Sequence, residues 1–149
     1  ERAGTATQPG RRARIAWRAE AGAVLARDSA PVPASQLFVT GGDTTVRGYG
    51  YHSIGARTSA GQTVGGRYLA VASAEWQRPL VLDGAPSDWE SAWFIDAGAV
   101  ADRVGDLHAR VGVGAGLRWH SPVGPVQADL AYGVQERKLR LHLRLGFSF

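Results

Sequence analysis

The chain has 149 residues, a formal net charge of +4, twenty glycines, seven prolines, five tryptophans and neither cysteine nor methionine. The missing cysteines exclude disulfides and thiolate metal sites. No stretch reaches the about 18 apolar residues of a membrane helix, so any membrane role falls to strands, and the glycine-, proline- and aromatic-rich composition predicts an all-β fold.

Six segments alternate in character. Arg12 to Leu25 sets Arg12, Arg14, Arg18 and Glu20 against Ile15, Trp17, Ala21 and Leu25, because successive strand side chains point to opposite faces. Tyr68 to Gln77 opposes Tyr68, Ala74 and Trp76 to Glu75 and Gln77, with Leu69 and Val71 sharing the polar side. Trp89 to Ala101 opposes Trp93 and Ile95 to Glu90, Phe94 and Asp96, its lone mid-strand acid. In His108 to His120, Val111, Val113, Leu117 and Trp119 face away from Arg110, Gly112, Gly114, Gly116 and Arg118. Val126 to Val134 opposes Leu130 and Tyr132 to Gln127 and Asp129. From Lys138 to the end, Leu139, Leu141, Leu143, Leu145, Phe147 and Phe149 oppose Lys138, Arg140, His142 and Arg144.

These segments run about 9–13 residues, against about 9–11 for a tilted membrane strand and about 5–6 for a soluble one. Arginine, histidine and glycine fill the polar faces, and tryptophans and tyrosines stand near strand ends on the apolar ones. A polar lumen and aromatic girdles are the marks of a transmembrane barrel. The expected fold is an antiparallel meander. Six strands cannot close, since known barrels begin at about 8, so the remaining strands are expected before Glu1 and residues 1–149 form the C-terminal part of one barrel domain.

The connections are predicted at residues 26 to 66, Pro79 to Asp88, Asp102 to Leu107, Ser121 to Pro125 and Gln135 to Arg137. Ordinary connections are about 4–6 residues, so the first has a job. It contains Gly41-Gly42-Asp43-Thr44-Thr45-Val46-Arg47-Gly48-Tyr49-Gly50. Folded into the lumen, Arg47 needs partners, because an unpaired interior charge is costly, and strand parity offers Glu75, Asp96 and Asp129. With the chain end placed at the periplasmic side, this loop emerges outside and the two proline turns lie inside.

Other chemistries find little support. His52, His108, His120 and His142 lack ligand spacing, so no metal is expected. Gly112 to Gly116 superficially matches a nucleotide loop but lies within an alternating strand and is followed by no helix. The basic residues share no face with stacking aromatics, which argues against nucleic acid. There is no nucleophile elbow, and Asp96 lacks a second carboxylate fixed beside it, so no enzymatic activity and no cofactor are expected.

Val46-Arg47-Gly48-Tyr49 resembles the Val-Arg-Gly-Tyr/Phe loop of the BamA/TamA outer-membrane assembly family. Phe94-Ile95-Asp96-Ala97-Gly98 resembles that family's Phe-x-Asp-x-Gly strand, and Gly116-Leu117-Arg118-Trp119 its Gly-x-Arg-Trp strand, in the family's order. Phe147 and Phe149 resemble the C-terminal assembly signal, with Arg144 where that signal usually carries glycine. The run Gly112 to Val134 is most similar to the TamA branch. The resemblance implies the last six strands of a sixteen-stranded barrel preceded by periplasmic POTRA domains, located in the bacterial outer membrane. It implies a non-catalytic protein that helps insert client barrels or autotransporters through a lateral seam. The partners implied are lipid, client proteins and an inner-membrane protein reached across the periplasm. A two-partner-secretion exporter and a passive porin are the alternatives. Within this resemblance Arg47 is the loop's anchor, its planar fork holding Asp96 first and Glu75 second while Arg118 balances the charge. Gly48 and Gly50 allow a tight path, Tyr49 packs the tip, and Gly41, Gly42, Gly98 and Gly116 are motif glycines.

Overall fold

The computed structural model describes residues 12–27 and 30–146. The strands in chain order are β1 (Arg14–Ala23), β2 (Ala56–Arg57), β3 (Thr63–Val64), β4 (Tyr68–Leu82), β5 (Ala85–Ala101), β6 (Arg110–Ser121), β7 (Gly124–Gly133) and β8 (Lys138–Leu145). Six form one sheet in the order β1-β4-β5-β6-β7-β8, every neighbouring pair antiparallel. The all-β meander expected from the alternation is therefore the fold. Phe147 and Phe149 lie outside the described residues.

Register turns the alternation into rows across the sheet. One row on the outer face runs Ile15, Trp76, Trp93, Ala115, Leu130, Leu141, and its neighbour runs Trp17, Ala74, Ile95, Val113, Tyr132, Leu139. The inner face carries Ala16, Glu75, Phe94, Gly114, Ala131, Arg140 in one row and Arg18, Ser73, Asp96, Gly112, Gly133, Lys138 in the next. Exposure follows the rows in reverse of a water-soluble domain: Trp17 is 79% and Leu141 63% exposed, whereas Asp96 is 0% and Arg118 5%. Soluble monomers rarely show contiguous apolar patches above a few hundred Å². This band spans six strands, and hydrocarbon is the environment in which it is stable.

The sheet corrects three expectations. Pro79 to Asp88 is not a loop: β4 and β5 run through it and pair down to Leu82↔Ala85, with only Asp83 and Gly84 between. Both turn residues have positive φ, 50° and 77°, the combination of a type I′ hairpin that Asp-Gly favours. Pro79 is accommodated where the register shifts before Val81, which relieves a ladder of the N–H that proline lacks. Because the two strands are longer than expected, the directly opposed Trp76 and Trp93 sit mid-sheet rather than near strand ends. Trp89 and Trp119 do lie near the short-turn end, stacked with ring centroids 5.6 Å apart. Finally, the long connection is not wholly irregular, since β2 and β3 pair within it.

That connection folds onto the inner face. Bridges Phe38↔Gly66 and Thr40↔Ile54 close its stem, and Val46, Tyr49 and Ile54 pack with Leu69, Val71 and Val100 into the buried apolar core, against which Phe38 also rests. This explains why Leu69 and Val71 stand on the polar side of β4: they meet the loop rather than water. The inner wall is thus apolar near the loop's stem and charged further along.

Candidate functional site

Arg47 is the centre of the inner wall. Its Nε and Nη2 donate to the two oxygens of Asp96 at 2.7 and 3.0 Å, and its own backbone N–H adds a third bond to that carboxylate at 3.1 Å. Nη1 donates to Glu75 at 2.5 Å and to Asp129 at 3.2 Å. The Ser73 hydroxyl gives Asp96 a fourth donor at 2.6 Å, which fills the acceptor sites of a carboxylate. The guanidinium carbon also lies 3.4 Å from the centroid of the Phe94 ring, close enough for cation–π attraction. Burial works against the Arg47 charge, but the bonds to Asp96 and Glu75 outweigh it and raise the pKa, so the residue is a permanent cation.

Arg118, on β6, completes the network. Its Nη2 reaches both Glu75 oxygens at 3.1 Å and Asp129 at 3.2 Å, while its Nη1 bonds the other Asp129 oxygen. Gln77 donates to Glu75 at 2.5 Å. Two guanidiniums therefore meet three carboxylates, and the loop cation is held by side chains from β4, β5 and β7. Among the described residues no reactive nucleophile or open position is part of this arrangement, which joins the loop to three strands by hydrogen-bonded ion pairs.

The backbone reaches the wall because the wall is glycine. Gly48 has φ +92°, and a Cβ there would meet the Gly133 nitrogen at 2.7 Å and the Tyr132 carbonyl carbon at 2.8 Å, so neither the conformation nor the space admits a side chain. A Cβ on Gly112 would stand 1.8 Å from the Arg47 carbonyl oxygen, one on Gly98 2.6 Å from a Val46 methyl, and one on Gly116 1.9 Å from Asp129 Oδ1. Gly41 and Gly42 sit at the neck of the loop with φ +106° and +117°. Tyr49 is 1% exposed. Its hydroxyl shares its proton between the Val111 carbonyl, 3.1 Å away, and the Gln135 side chain, and accepts the Gln135 N–H at 3.2 Å.

Val46, Arg47, Gly48 and Tyr49 thus lie with Asp96, Glu75, Arg118, Gly98 and Gly116 in one continuous assembly, joined at its neck by Gly42, whose N–H donates to the Val46 carbonyl at 3.2 Å, and Gly41, whose N–H donates to the Thr45 hydroxyl at 2.9 Å. Several members were not singled out as site residues from the sequence. Asp129, which parity offers as a partner of Arg47, bridges both arginines. Ser73, Gly112, Gly133, Gln135 and His142 were not assigned to the loop. The alternating Gly112-x-Gly114-x-Gly116 on a polar strand face was the available signal, since such a strip marks close approach of another backbone.

The Omp85 superfamily domain matches residues 5–149. The outer membrane protein assembly factor BamA of Neorickettsia risticii (strain Illinois) is 34% identical over 101 residues, covering 62% of this chain and 14% of that protein. The chain spans a small part of the length of the curated relative it matches. With apolar rows outward, the charged wall inward and the superfamily match covering nearly the whole sequence, the protein belongs to the Omp85 superfamily of the bacterial outer membrane.

Proposed function

We propose that this chain is the C-terminal part of one outer-membrane barrel that inserts client β-barrels or autotransporters without a covalent step, with the loop around Arg47 seated in the lumen as its internal anchor. The observation carrying this reading is the buried ion network of Arg47 with Asp96, Glu75 and Asp129. A loop merely constricting a passive pore needs no such convergence of three strands' side chains, and breaking a buried pair by removing one partner costs about 3–5 kcal/mol. In the whole barrel β8 would form one side of the lateral seam, where strand addition to a sheet edge is physically sufficient to take up an incoming client strand. The long connections face outward and the two-residue turns face the periplasm. The motif run Gly112 to Val134 favours a TamA-like protein with a periplasm-spanning inner-membrane partner.

The test is Arg47→Ala in the full-length protein, assayed by client insertion into liposomes at matched levels of folded barrel. The expected result is a loss of insertion of tenfold or more. Insertion at the unaltered rate, with the variant folded, would overturn the reading.

A further inference from the structure

We infer that His142 is a positioning residue that fastens the tip of the loop to β8, and that it does so only while its imidazole is unprotonated. The inference rests on the loop being an anchored element, and it adds the connection to the seam strand and the condition under which that connection opens.

The Gly48 N–H donates to His142 Nε2 at 3.1 Å. An imidazole nitrogen that accepts carries no proton, so the neutral ring has its hydrogen on Nδ1. The amide has little freedom to turn elsewhere, because Gly48 is held at φ +92° against the backbone of Tyr132 and Gly133. The carboxylates that hold Arg47 come from β4, β5 and β7. Among the described residues, the hydrogen bond carrying residues 46–49 to β8 is the one made by His142. Movement of the edge strand is thereby felt at the loop's tip, and the seating of the loop bears on the edge strand.

The charges around His142 come from three elements. Asp129 stands directly opposite on β7, Asp43 and Arg47 approach from the loop, and Arg140 from its own strand. Arg144, two residues along, is a separate tie from β8 to the loop's neck, donating to the Asp43 carbonyl at 2.6 Å with the Asp43 carboxylate 3.8 Å away. Asp129 is already engaged by Arg47 and Arg118. On protonation both ring nitrogens become donors, so Nε2–H confronts the Gly48 N–H and the bond is lost. The seated state requires the unprotonated ring, so its stabilisation is present while the imidazole is neutral and is lost as acid protonates it.

A nitroxide at Tyr51→Cys, an exposed position just past the tip and away from the Arg144–Asp43 tie, reports seating in the full-length protein in liposomes, with any other cysteines replaced. The expected spectrum is a single immobilised component at pH 8 and a mobile component at least several-fold larger at pH 5. His142→Gln, whose side-chain carbonyl accepts at every pH, should stay immobilised at both, and His142→Phe should be mobile at both. A pH-independent spectrum of the labelled parent, or a His142→Gln response equal to it, would overturn the inference; should His142→Phe not fold, the glutamine variant decides. Because the label reads loop position whether or not clients are inserted, failure here is distinct from failure of the assembly reading, which Arg47→Ala tests separately.

Discussion

At the level of single residues, Arg47 is worth more to the fold than a count of its contacts suggests, because removing it would leave the fully buried Asp96 without its cation and leave Glu75 and Asp129 to Arg118 alone. Lysine is no substitute: its ammonium is a point donor and cannot meet both Asp96 oxygens while also reaching Glu75. Arg47→Lys should therefore lose most of the about 3–5 kcal/mol expected for Arg47→Ala, read from heat- or urea-induced loss of the folded band of the full-length barrel. Because the two groups form one unit, Arg47→Ala combined with Asp96→Asn should cost clearly less than the sum of the single changes. Additive costs would mean that the pair is not coupled. The pairing of Arg47 with acids was legible from parity alone, since strand alternation puts Glu75, Asp96 and Asp129 on one face. How the carboxylates divide between Arg47 and Arg118 was not, because that depends on how far each strand is staggered, and register is invisible in a strand's own composition.

Among elements, the decisive partnership is between the loop and the glycine strip of β5, β6 and β7. A methyl group on Gly112 would meet a backbone oxygen, which cannot swing aside as a side chain can. Gly112→Ala should thus unseat the loop while leaving the sheet paired. Tryptic cleavage at the exposed Arg57 should quicken by an order of magnitude with the far-ultraviolet circular dichroism unchanged; an unchanged cleavage rate would remove the strip from the argument. The same comparison of elements exposes where local reading went astray. Pro79, Asp83-Gly84 and Pro86 look like the ingredients of a long turn, yet an Asp-Gly pair needs only itself to reverse a chain, and cross-strand pairing on either side recruits the flanking prolines into long strands.

Over the whole molecule, the two faces of the sheet obey opposite rules. Leu130→Arg, in the middle of an outward apolar row, should destabilise the full-length barrel by about 2–4 kcal/mol, the cost of a cationic side chain near the bilayer midplane. Gln127→Arg on the inward face should cost clearly less, limited to repulsion from Arg118 and Arg144 directly opposite, and equal costs measured by unfolding in lipid vesicles would contradict the assignment of faces. The sequence by itself determined which residues share a face and that the chain is all-β, because a period of two is a property of the strand backbone and needs no partner to be read. It also carried the family, through short motifs kept in order. The outward apolar face and the lumen-seated loop were also expected from it, whereas only the tertiary structure decided how far each strand is staggered and that Gly112, Gly133 and His142 receive the loop. Those facts depend on which strands are neighbours, on their stagger, and on the closeness of two backbones, and none of these is encoded within a single segment.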